Sequence, residues 1–316
     1  MPSPDIDHFV RAPEWTWYIL FYFFLAGLSG GSYVLATLLR TTGRRSDEAA
    51  ARIGYYVAFL ALLICPILLT LDLGKPLRFW HMLVNTTPGD EGPIFKYWSP
   101  MSVGAWALAV FGIFATVSFV ESLLRDRRIL LPFGSRLVRL MDGAFGRLWN
   151  FVGALLGLFV AGYTGVLLAV SNQPVWSDTW ALGGLFLASG LSGSAALLMW
   201  LVSHRSDAQP STVAFARSER VFLVLEIALI VLFVLTLPSA ALSRAFGFPW
   251  LLLWLFAFVS LIPGLGLPLR RRAAVMADGS VATPARAVVV APGLVMTTIV
   301  LLGVLALRAA VIFSAQ

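Results

Sequence analysis

Long apolar segments recur along the whole chain, and they restrict its fold more than any other feature of the sequence. A helical segment of roughly 20 apolar residues crosses the ~30 Å hydrocarbon core of a membrane. Lipid offers the backbone no hydrogen-bond partners, so such segments must be helices. The sequence therefore predicts an all-α polytopic membrane protein of about eight transmembrane helices, near residues 15–40, 52–72, 99–121, 147–170, 180–203, 219–240, 246–268 and 286–313.

The composition supports a membrane protein and argues against a soluble one. Hydrophobic residues make up 59% of the chain and charged residues only 12%, whereas soluble domains have about 25% charged residues. The net charge of +7 is unevenly distributed: the loops after the first, third, fifth and seventh segments carry 17 of the 23 Lys and Arg residues. By the positive-inside rule these loops are cytoplasmic, which places both termini on the periplasmic or outer side. The basic charge is thus a topology signal, and we expect no nucleic-acid partner.

The loops suggest one integral membrane domain, 1–316, with two unusual connections. The first apolar segment is too long for a signal peptide and lacks a cleavage site, so we expect it to be retained. Residues 122–146 form a basic loop, which we expect to lie on the anionic cytoplasmic lipid surface. Residues 73–98 form an outer loop rich in aromatic and charged side chains. A simple connection does not need such side chains, so this loop is a candidate docking site for a partner.

Two clusters of small residues indicate close helix packing. They occupy residues 27–31 in the first segment and 190–194 in the fifth. Small residues let helix backbones approach each other within a membrane. The clusters fit a duplicated four-helix unit, and equally two independent packing motifs.

The sequence argues against a metal centre within this chain. Its histidines are His8, His81 and His204, all at or beyond segment ends, whereas a membrane cytochrome places haem-ligating histidines inside its helices. Cys65 is the single cysteine and lies in an apolar segment, where it is a small packing residue. We therefore expect no haem, iron–sulfur cluster, structural zinc or disulfide here, and any metal for electron transfer must come from a partner.

A group of ionisable residues follows the second apolar segment. Asp72 lies at the end of that segment, and Lys75, Arg78 and His81 follow within ten residues. Such groups are costly at a membrane boundary unless they are paired or face a polar space. In one interpretation Asp72 pairs with Lys75 or Arg78 and fixes the loop. In the other, His81 and Asp72 exchange protons at the edge of a pocket.

Four further polar residues lie within the apolar segments. Tyr163 has glycine neighbours that leave space beside its ring, and buried tyrosine hydroxyls normally find a hydrogen-bond partner. Tyr22 lies in the outer half of the first segment. Glu226 is a helix contact or part of a proton route. For Arg308, near the outer end of the last segment, we expect the side chain to reach the membrane interface.

Several of these blocks together resemble the NrfD/PsrC family of membrane subunits. They extend from the first segment to the fifth: residues 15–17 (WTW), 27–31 (GLSGG), 72–83 (DLGKPLRFWHML), 99–106 (SPMSVGAW), 163–168 (YTGVLL) and 189–194 (SGLSGS).

The resemblance implies a subunit of the bacterial or archaeal cytoplasmic membrane that exchanges electrons and protons with menaquinone or ubiquinone. The implied partners are an iron–sulfur subunit and a molybdenum catalytic subunit, so the chain is not expected to be active alone. The family's quinone pocket lies near the outer face, which makes Tyr163 and Tyr22 candidate quinone contacts. Ile19 and Tyr22 stand where some relatives carry Asn and His, so the headgroup contacts differ here.

The resemblance also suggests roles for the loop residues and leaves two alternatives open. Asp72 and His81 would relay protons, and Lys75 and Arg78 would hold the cofactor-binding loop or the partner. A transporter or ion-translocating helix bundle would instead use Asp72 and Glu226. A passive anchor would need these residues only for assembly.

Overall fold

The computed structural model describes residues 14–43, 45–266 and 293–316, and most of these residues are helical, as predicted. Its α-helices are α1 (Trp17–Thr42), α2 (Glu48–Asp72), α3 (Pro100–Arg125), α4 (Gly134–Asp142), α5 (Ala144–Ala169), α6 (Leu182–Ser203), α7 (Thr212–Thr236), α8 (Ser239–Ala245), α9 (Trp250–Gly266) and α10 (Leu294–Phe313). Short 3-10 helices cover Arg45–Asp47, Pro76–Met82 and Gln209–Ser211, and the strands β1 (Val84–Asn85) and β2 (Gly92–Pro93) pair antiparallel.

Six of the described helices are long and apolar enough to cross a membrane: α1, α2, α3, α5, α6 and α10. The pair α8 and α9, bent by 79° between them, brings the number to seven if it forms one span. The protein is therefore a multi-pass membrane protein, while the count of eight stays a prediction. Helix α7 has 25 residues but carries Glu219, Arg220 and Glu226, which make it less apolar. The predicted start of the last span, 286–292, and residues 1–13 lie outside the described residues.

Helix α1 lies at the centre of the bundle and packs against α2, α5, α6 and α10. Thr16 is its N-cap, with a side chain that accepts a hydrogen bond from the backbone N–H of Tyr18. Following the predicted topology, we call the end of the bundle where α1 begins and α2 ends the outer end. The opposite end, where α1 ends and α2 begins, is called the inner end.

The two predicted small-residue clusters pack against each other. A Cβ atom at Gly190 would lie 3.1 Å from the Cα of Gly27, so only glycine fits there without moving a helix. The Ser194 hydroxyl donates to the Leu28 carbonyl at 3.1 Å. One turn toward the outer end, Phe23 of α1 meets Phe186 of α6, their ring centroids 6.2 Å apart. Contacts that advance four residues on both helices show that α1 and α6 run parallel, as small-residue packing in membranes allows.

Charged side chains join four helices at the inner end. Glu121 of α3 is fully buried and accepts hydrogen bonds from Arg40 of α1 at 2.5 and 3.0 Å, and from Arg125. Arg40 also pairs with Glu48 of α2 at 3.2 Å, and Arg125 with Asp142 of α4 at 2.5 Å. Part of the predicted basic loop 122–146 is therefore the end of α3 and the short helix α4, which ion pairs fix to the bundle.

The start of α1 and the end of α10 meet at the outer end. The ring centroids of Trp17 and Phe313 are 5.2 Å apart. The adjacent Trp15 stacks on Trp176 at 5.0 Å, and the Trp176 indole N–H donates to the Val311 carbonyl at 2.8 Å. These contacts place the beginning of the first helix and the end of the last one on the same face of the bundle.

Candidate functional site

The predicted outer loop, residues 73–98, is folded back onto the start of α3. The Trp106 indole N–H donates to the Ile94 carbonyl at 2.8 Å, and the Ile94 N–H donates to the Leu83 carbonyl at 2.9 Å. Ser99 caps α3, because its hydroxyl accepts from the Ser102 N–H. These bonds give the loop a fixed shape over the outer end of α2 and α3.

This loop exposes large apolar side chains. Leu77 is 89% exposed, Tyr97 76% and Trp98 67%. Large apolar surface left exposed on a folded protein is typical of an interaction site with a protein or a membrane. Lys75 and Arg78 lie exposed in the same loop.

Asp72 ends α2 and bonds to the start of α1. Its Oδ1 accepts a hydrogen bond from the Thr16 hydroxyl at 2.9 Å. Within the described residues, Asp72 forms no ion pair with Lys75 or Arg78, so the ion-pair interpretation of this segment is wrong. The carboxylate instead ties the outer ends of two helices together.

His81 lies apart from these contacts, exposed on the loop. Its ring packs on Trp80 at 4.2 Å, and its Nδ1 is 3.4 Å from the Thr86 hydroxyl. In the part of the chain that the structure covers, no hydrogen bond or ion pair joins His81 to Asp72. The structure brings both residues to the outer end but does not connect them.

Tyr163 of α5 faces the first turn of α3. Its hydroxyl donates to the Pro100 carbonyl, and its ring stacks on Phe159 with centroids 5.5 Å apart. A Cβ atom at Gly104 would overlap the Tyr163 ring, so this glycine makes the close approach possible. The sequence predicted space beside Tyr163 from its glycine neighbours on α5, and Gly104 on the facing helix α3 also leaves space for the ring.

A cavity of about 560 Å³, open to the surroundings on one side, lies beside Tyr163, between α3, α5, α6 and the outer loop. Binding sites for small molecules typically measure about 300–1,000 Å³ and are mostly apolar with a few polar groups. Here the polar groups are the Tyr163 hydroxyl and the indoles of Trp98 and Trp180, whose N–H groups have no hydrogen-bond partner within the described residues. Its lining residues are Tyr97, Trp98, Pro100, Val103, Leu158, Phe159, Gly162, Tyr163, Val166, Val170, Trp180, Gly183, Gly184 and Leu187.

Tyr22 lies within electrostatic range of Tyr163 but does not line this cavity. Its side chain is buried, with its ring against Phe23 at 5.4 Å, and Cys65 and Tyr163 lie within electrostatic range. Among the described residues its hydroxyl has no hydrogen-bond partner. Ile19, one turn earlier on α1, is buried as well.

A family model described as "Polysulphide reductase, NrfD" matches residues 6–316, almost the whole chain. The chain belongs to the NrfD family. The resemblance seen in the first five apolar segments therefore extends through the last helices, where no single motif indicated it.

Three relatives illustrate the range of the NrfD family. A polysulfide reductase chain of Wolinella succinogenes is 29% identical over 64% of this chain and 62% of its own length. A selenate reductase subunit of Mesobacillus selenatarsenatis is 29% identical over 34% of this chain and 22% of its own length. Protein NrfD of Escherichia coli is 26% identical over 66% of both chains. This chain thus spans less than two thirds of the length of each of these three relatives.

The NrfD-family chain also buries charge far from the outer loop. Glu226 of α7 is 1% exposed, and Arg308 of α10 is completely buried. Arg308 donates to the carbonyls of Val304 at 3.1 Å and Phe186 at 2.9 Å. The prediction that Arg308 reaches the membrane interface is wrong, because its guanidinium turns inward to satisfy two backbone carbonyls.

Sequence reasoning missed several residues that the structure brings to these sites. Trp180 and Gly183 line the cavity from α6 and the turn before it, and Thr16 binds Asp72 from the turn before α1. Glu219 lies two turns before Glu226 on α7 and could have been found from that spacing. Within residues 14–43, 45–266 and 293–316, no group of three or more His, Cys, Asp or Glu side chains could hold a metal ion.

Proposed function

We propose that this chain is the quinone-exchanging membrane subunit of a multi-subunit oxidoreductase. Its proposed partners are an iron–sulfur subunit and a molybdenum catalytic subunit. The family assignment and relatives named as subunits of polysulfide and selenate reductases support the reaction class. The observation that carries the proposal is the 560 Å³ cavity beside Tyr163 at the outer end, since its size and lining fit an apolar ring with two carbonyl groups.

The cavity sets the proposed position of the quinone headgroup. It lies between α3, α5 and α6, and Tyr97 and Trp98 of the loop line it. When bound, a quinone supplies a two-electron, two-proton couple. The chain's own residues then have to bind the ring, position its carbonyls and deliver or remove protons.

We assign binding and positioning to the aromatic residues of the cavity. The indole N–H groups of Trp98 and Trp180 have no partner among the described residues, so they are available to donate to a carbonyl oxygen. The Tyr163 hydroxyl donates a hydrogen bond to the Pro100 carbonyl, and its oxygen would accept one from a ligand in the cavity. Tyr22, within electrostatic range of Tyr163 and with a hydroxyl unpartnered among the described residues, would stabilise a second orientation of the Tyr163 hydroxyl.

Proton transfer is assigned to Asp72 and His81. A reduced quinone is strongly basic, so proton transfer has to follow electron transfer, and titratable groups near the ring make this possible. Asp72 is half-buried beside Thr16, while His81 is exposed. We propose that water connects them to the cavity, with His81 exchanging protons with the aqueous phase. Lys75 and Arg78 would bind acidic groups of the partner.

The exposed outer loop is the proposed docking surface for the iron–sulfur partner. Its apolar side chains, led by Leu77, Tyr97 and Trp98, are a feature of protein interfaces. A partner bound there would lie directly over the cavity, which Tyr97 and Trp98 also line. Residues 1–13, the other predicted docking segment, lie outside the described residues.

The contact between Trp17 and Phe313 supports an even number of membrane crossings. The first helix begins and the last helix ends on one face of the bundle. This agrees with the predicted eight spans, with both termini on the outer side of the bacterial or archaeal inner membrane, if α7 and the bent pair α8–α9 both cross. The duplicated four-helix unit remains a proposal, supported by the parallel packing of α1 and α6.

The test is quinone retention after filling the cavity. The complex is purified in mild detergent, and its bound quinone is extracted and quantified per chain. Gly162 lines the cavity and has only ordinary contacts around its Cβ position, so Gly162→Leu should fill the cavity without disrupting the helices. We expect quinone content to fall at least ~10-fold, since a Leu side chain occupies the space of the ring. The matched control is Gly112→Leu, because a Cβ atom there meets nothing within 4 Å.

Equal quinone content in Gly162→Leu and the control would refute the cavity as the quinone site. Tyr163→Phe then distinguishes a quinone-exchanging subunit from a passive anchor, which would need Tyr163 only for assembly. This variant keeps the ring and removes only the hydroxyl, so we expect quinol turnover to fall roughly 10- to 100-fold, as for loss of one positioned polar group. Co-purification of the partner subunits should be unchanged. Loss of the partners with normal turnover per assembled complex would favour the anchor.

A further inference from the structure

A second, polar cavity lies inside the bundle between α6, α7, α9 and α10. Four polar side chains line it: Ser192 of α6, Glu219 and Glu226 of α7, and Ser260 of α9. Its apolar lining comes from Leu223, Leu261, Gly264, Val300 and Val304. The quinone cavity shares no lining residue with it, so the two are separate sites.

Both carboxyl groups in this cavity are incompletely hydrogen-bonded. Glu219 and Glu226 are 2% and 1% exposed, and the Oε2 atom of each has no partner among the described residues. Leaving a buried polar atom without a partner costs several kcal/mol in an apolar medium. Acidic residues within membrane helices are accordingly rare and usually functional. The two carboxyl oxygens therefore require a partner that the described part of the chain does not supply.

Arg308 is the cation that acts on Glu226. Its guanidinium is completely buried, its Nε has no hydrogen-bond partner among the described residues, and Glu226 is the acid that acts on it electrostatically. Among the described residues, however, no ion pair within 4 Å joins Arg308 to Glu226. An unpartnered donor and an unpartnered acceptor that attract each other across a gap are the usual setting for a bridging water.

The cavity is large enough for such a water. The space open to the centre of a water molecule is about 10 Å³, close to the minimum for one water with several polar partners. Its lining holds two carboxyl oxygens that are unpartnered among the described residues and two serine side chains, which a dry apolar cavity would not have.

We propose that this cavity is a hydrated proton-exchange site, in which water joins Glu219 to Glu226 and Arg308 balances the charge. A proton on a Glu219 carboxyl oxygen passes to the cavity water, and that water gives a proton to the Oε2 of Glu226. Only O–H bonds break and form, and no electron transfer is involved. The site takes protons rather than a metal or an organic ligand.

The arrangement along α7 gives the site a direction. Glu219 and Glu226 are seven residues apart, so they lie on one face of the helix. Their Cα atoms are separated by roughly 10 Å along its axis, and both side chains reach the same cavity. Glu219 is nearer the start of α7, which follows the inner-end turn after α6. Arg220 beside Glu219 and Arg308 beyond Glu226 are the cations that act on the two acids. Protons would therefore enter from the inner end, opposite to the quinone cavity.

The test uses infrared difference spectroscopy on the purified chain, with or without its co-purifying subunits. We expect a protonated carboxyl band that changes with pH and shifts within minutes after exchange into heavy water. Labelling with ¹³C-glutamate should shift this band in the wild type, which assigns it to glutamate without any substitution. Glu226→Gln should remove the Glu226 contribution to this band and leave that of Glu219, whereas Glu91→Gln, in the exposed outer loop, should leave the whole band unchanged.

Glu219→Gln tests the route separately. If Glu219 connects the cavity to the inner end, its loss should slow heavy-water exchange of the Glu226 band at least ~10-fold while the band remains. A band that neither titrates nor exchanges, or one that is unaltered in Glu226→Gln, would overturn the proposal and leave a sealed structural contact. The measurement needs no quinone and no partner, so its failure is distinguishable from failure of the quinone proposal.

Discussion

Removing the charge of Glu121 tests how the inner end is held together. Glu121 is fully buried and accepts hydrogen bonds from Arg40 and Arg125. The side chains of these two arginines are only 10% and 18% exposed. In Glu121→Gln the shape is preserved, but the negative charge between two buried cations disappears.

The expected cost is about 3 kcal/mol. Breaking a buried ion pair by removing one partner typically costs about 3–5 kcal/mol, because the remaining charge is left uncompensated. The lower end applies here, since Arg40 keeps Glu48 at 3.2 Å and Arg125 keeps Asp142 at 2.5 Å. Such a loss corresponds to a change of roughly 100-fold in the unfolding equilibrium.

Asp207→Asn is the matched control. Asp207 pairs with Arg205 at 2.7 Å in the turn after α6, and Arg205 lowers the pKa of its carboxyl group. That pair is therefore intact at pH 7, but the Asp207 side chain is 49% exposed. Exposed pairs contribute about 0–1 kcal/mol, so the control removes an equal charge at little cost.

The assay is reversible unfolding in mixed micelles by titration with a denaturing detergent at pH 7, followed by circular dichroism. If the buried ion pairs of Glu121 hold the inner end together, Glu121→Gln should lose several times more free energy of unfolding than Asp207→Asn. Equal losses in the two variants would refute this, because a buried charge would then stabilise the fold no more than an exposed one.

Two further predictions concern helix packing and the outer loop. Gly190→Leu should destabilise the bundle by about 1–3 kcal/mol, because a Cβ atom at this position would already lie 3.1 Å from Gly27. The same unfolding titration measures this loss. Gly112→Leu is the control, since a Cβ atom there meets nothing within 4 Å. Trp106→Phe should keep the ring but lose the hydrogen bond to the Ile94 carbonyl, about 1 kcal/mol, which should speed proteolysis within residues 73–98. An unchanged cleavage rate would show that the strand pair alone holds the loop.

Much of the helical framework could be predicted from the sequence, because apolar segment length directly reflects membrane thickness. The helices α1, α2, α3, α5 and α6 follow the predicted segments closely. The region after α7 was harder. The predicted connection at residues 241–245 is part of the short helix α8, and the break before α9 lies at Gly247 and Pro249.

The candidate site was less predictable, because its contacts join residues that are distant in sequence. Asp72 was expected to pair with nearby Lys75 or Arg78, yet its partner is Thr16, 56 residues earlier. Arg308 was expected at the interface, because a single charge near a helix end normally reaches it. Only the packing of α10 beside Phe186 supplies the carbonyl group that keeps it inside.

The contact between Trp17 and Phe313 has a practical consequence. Because these two chain segments meet at one end of the bundle, the protein can be circularly permuted. A short linker would join residue 316 to residue 14, and the new N- and C-termini would be placed in another loop. Residues 129–132, an exposed turn between α3 and α4, are a suitable opening. A permuted chain of this kind would carry reporter tags on the opposite face from the original ends, giving a direct test of which side of the membrane each loop occupies.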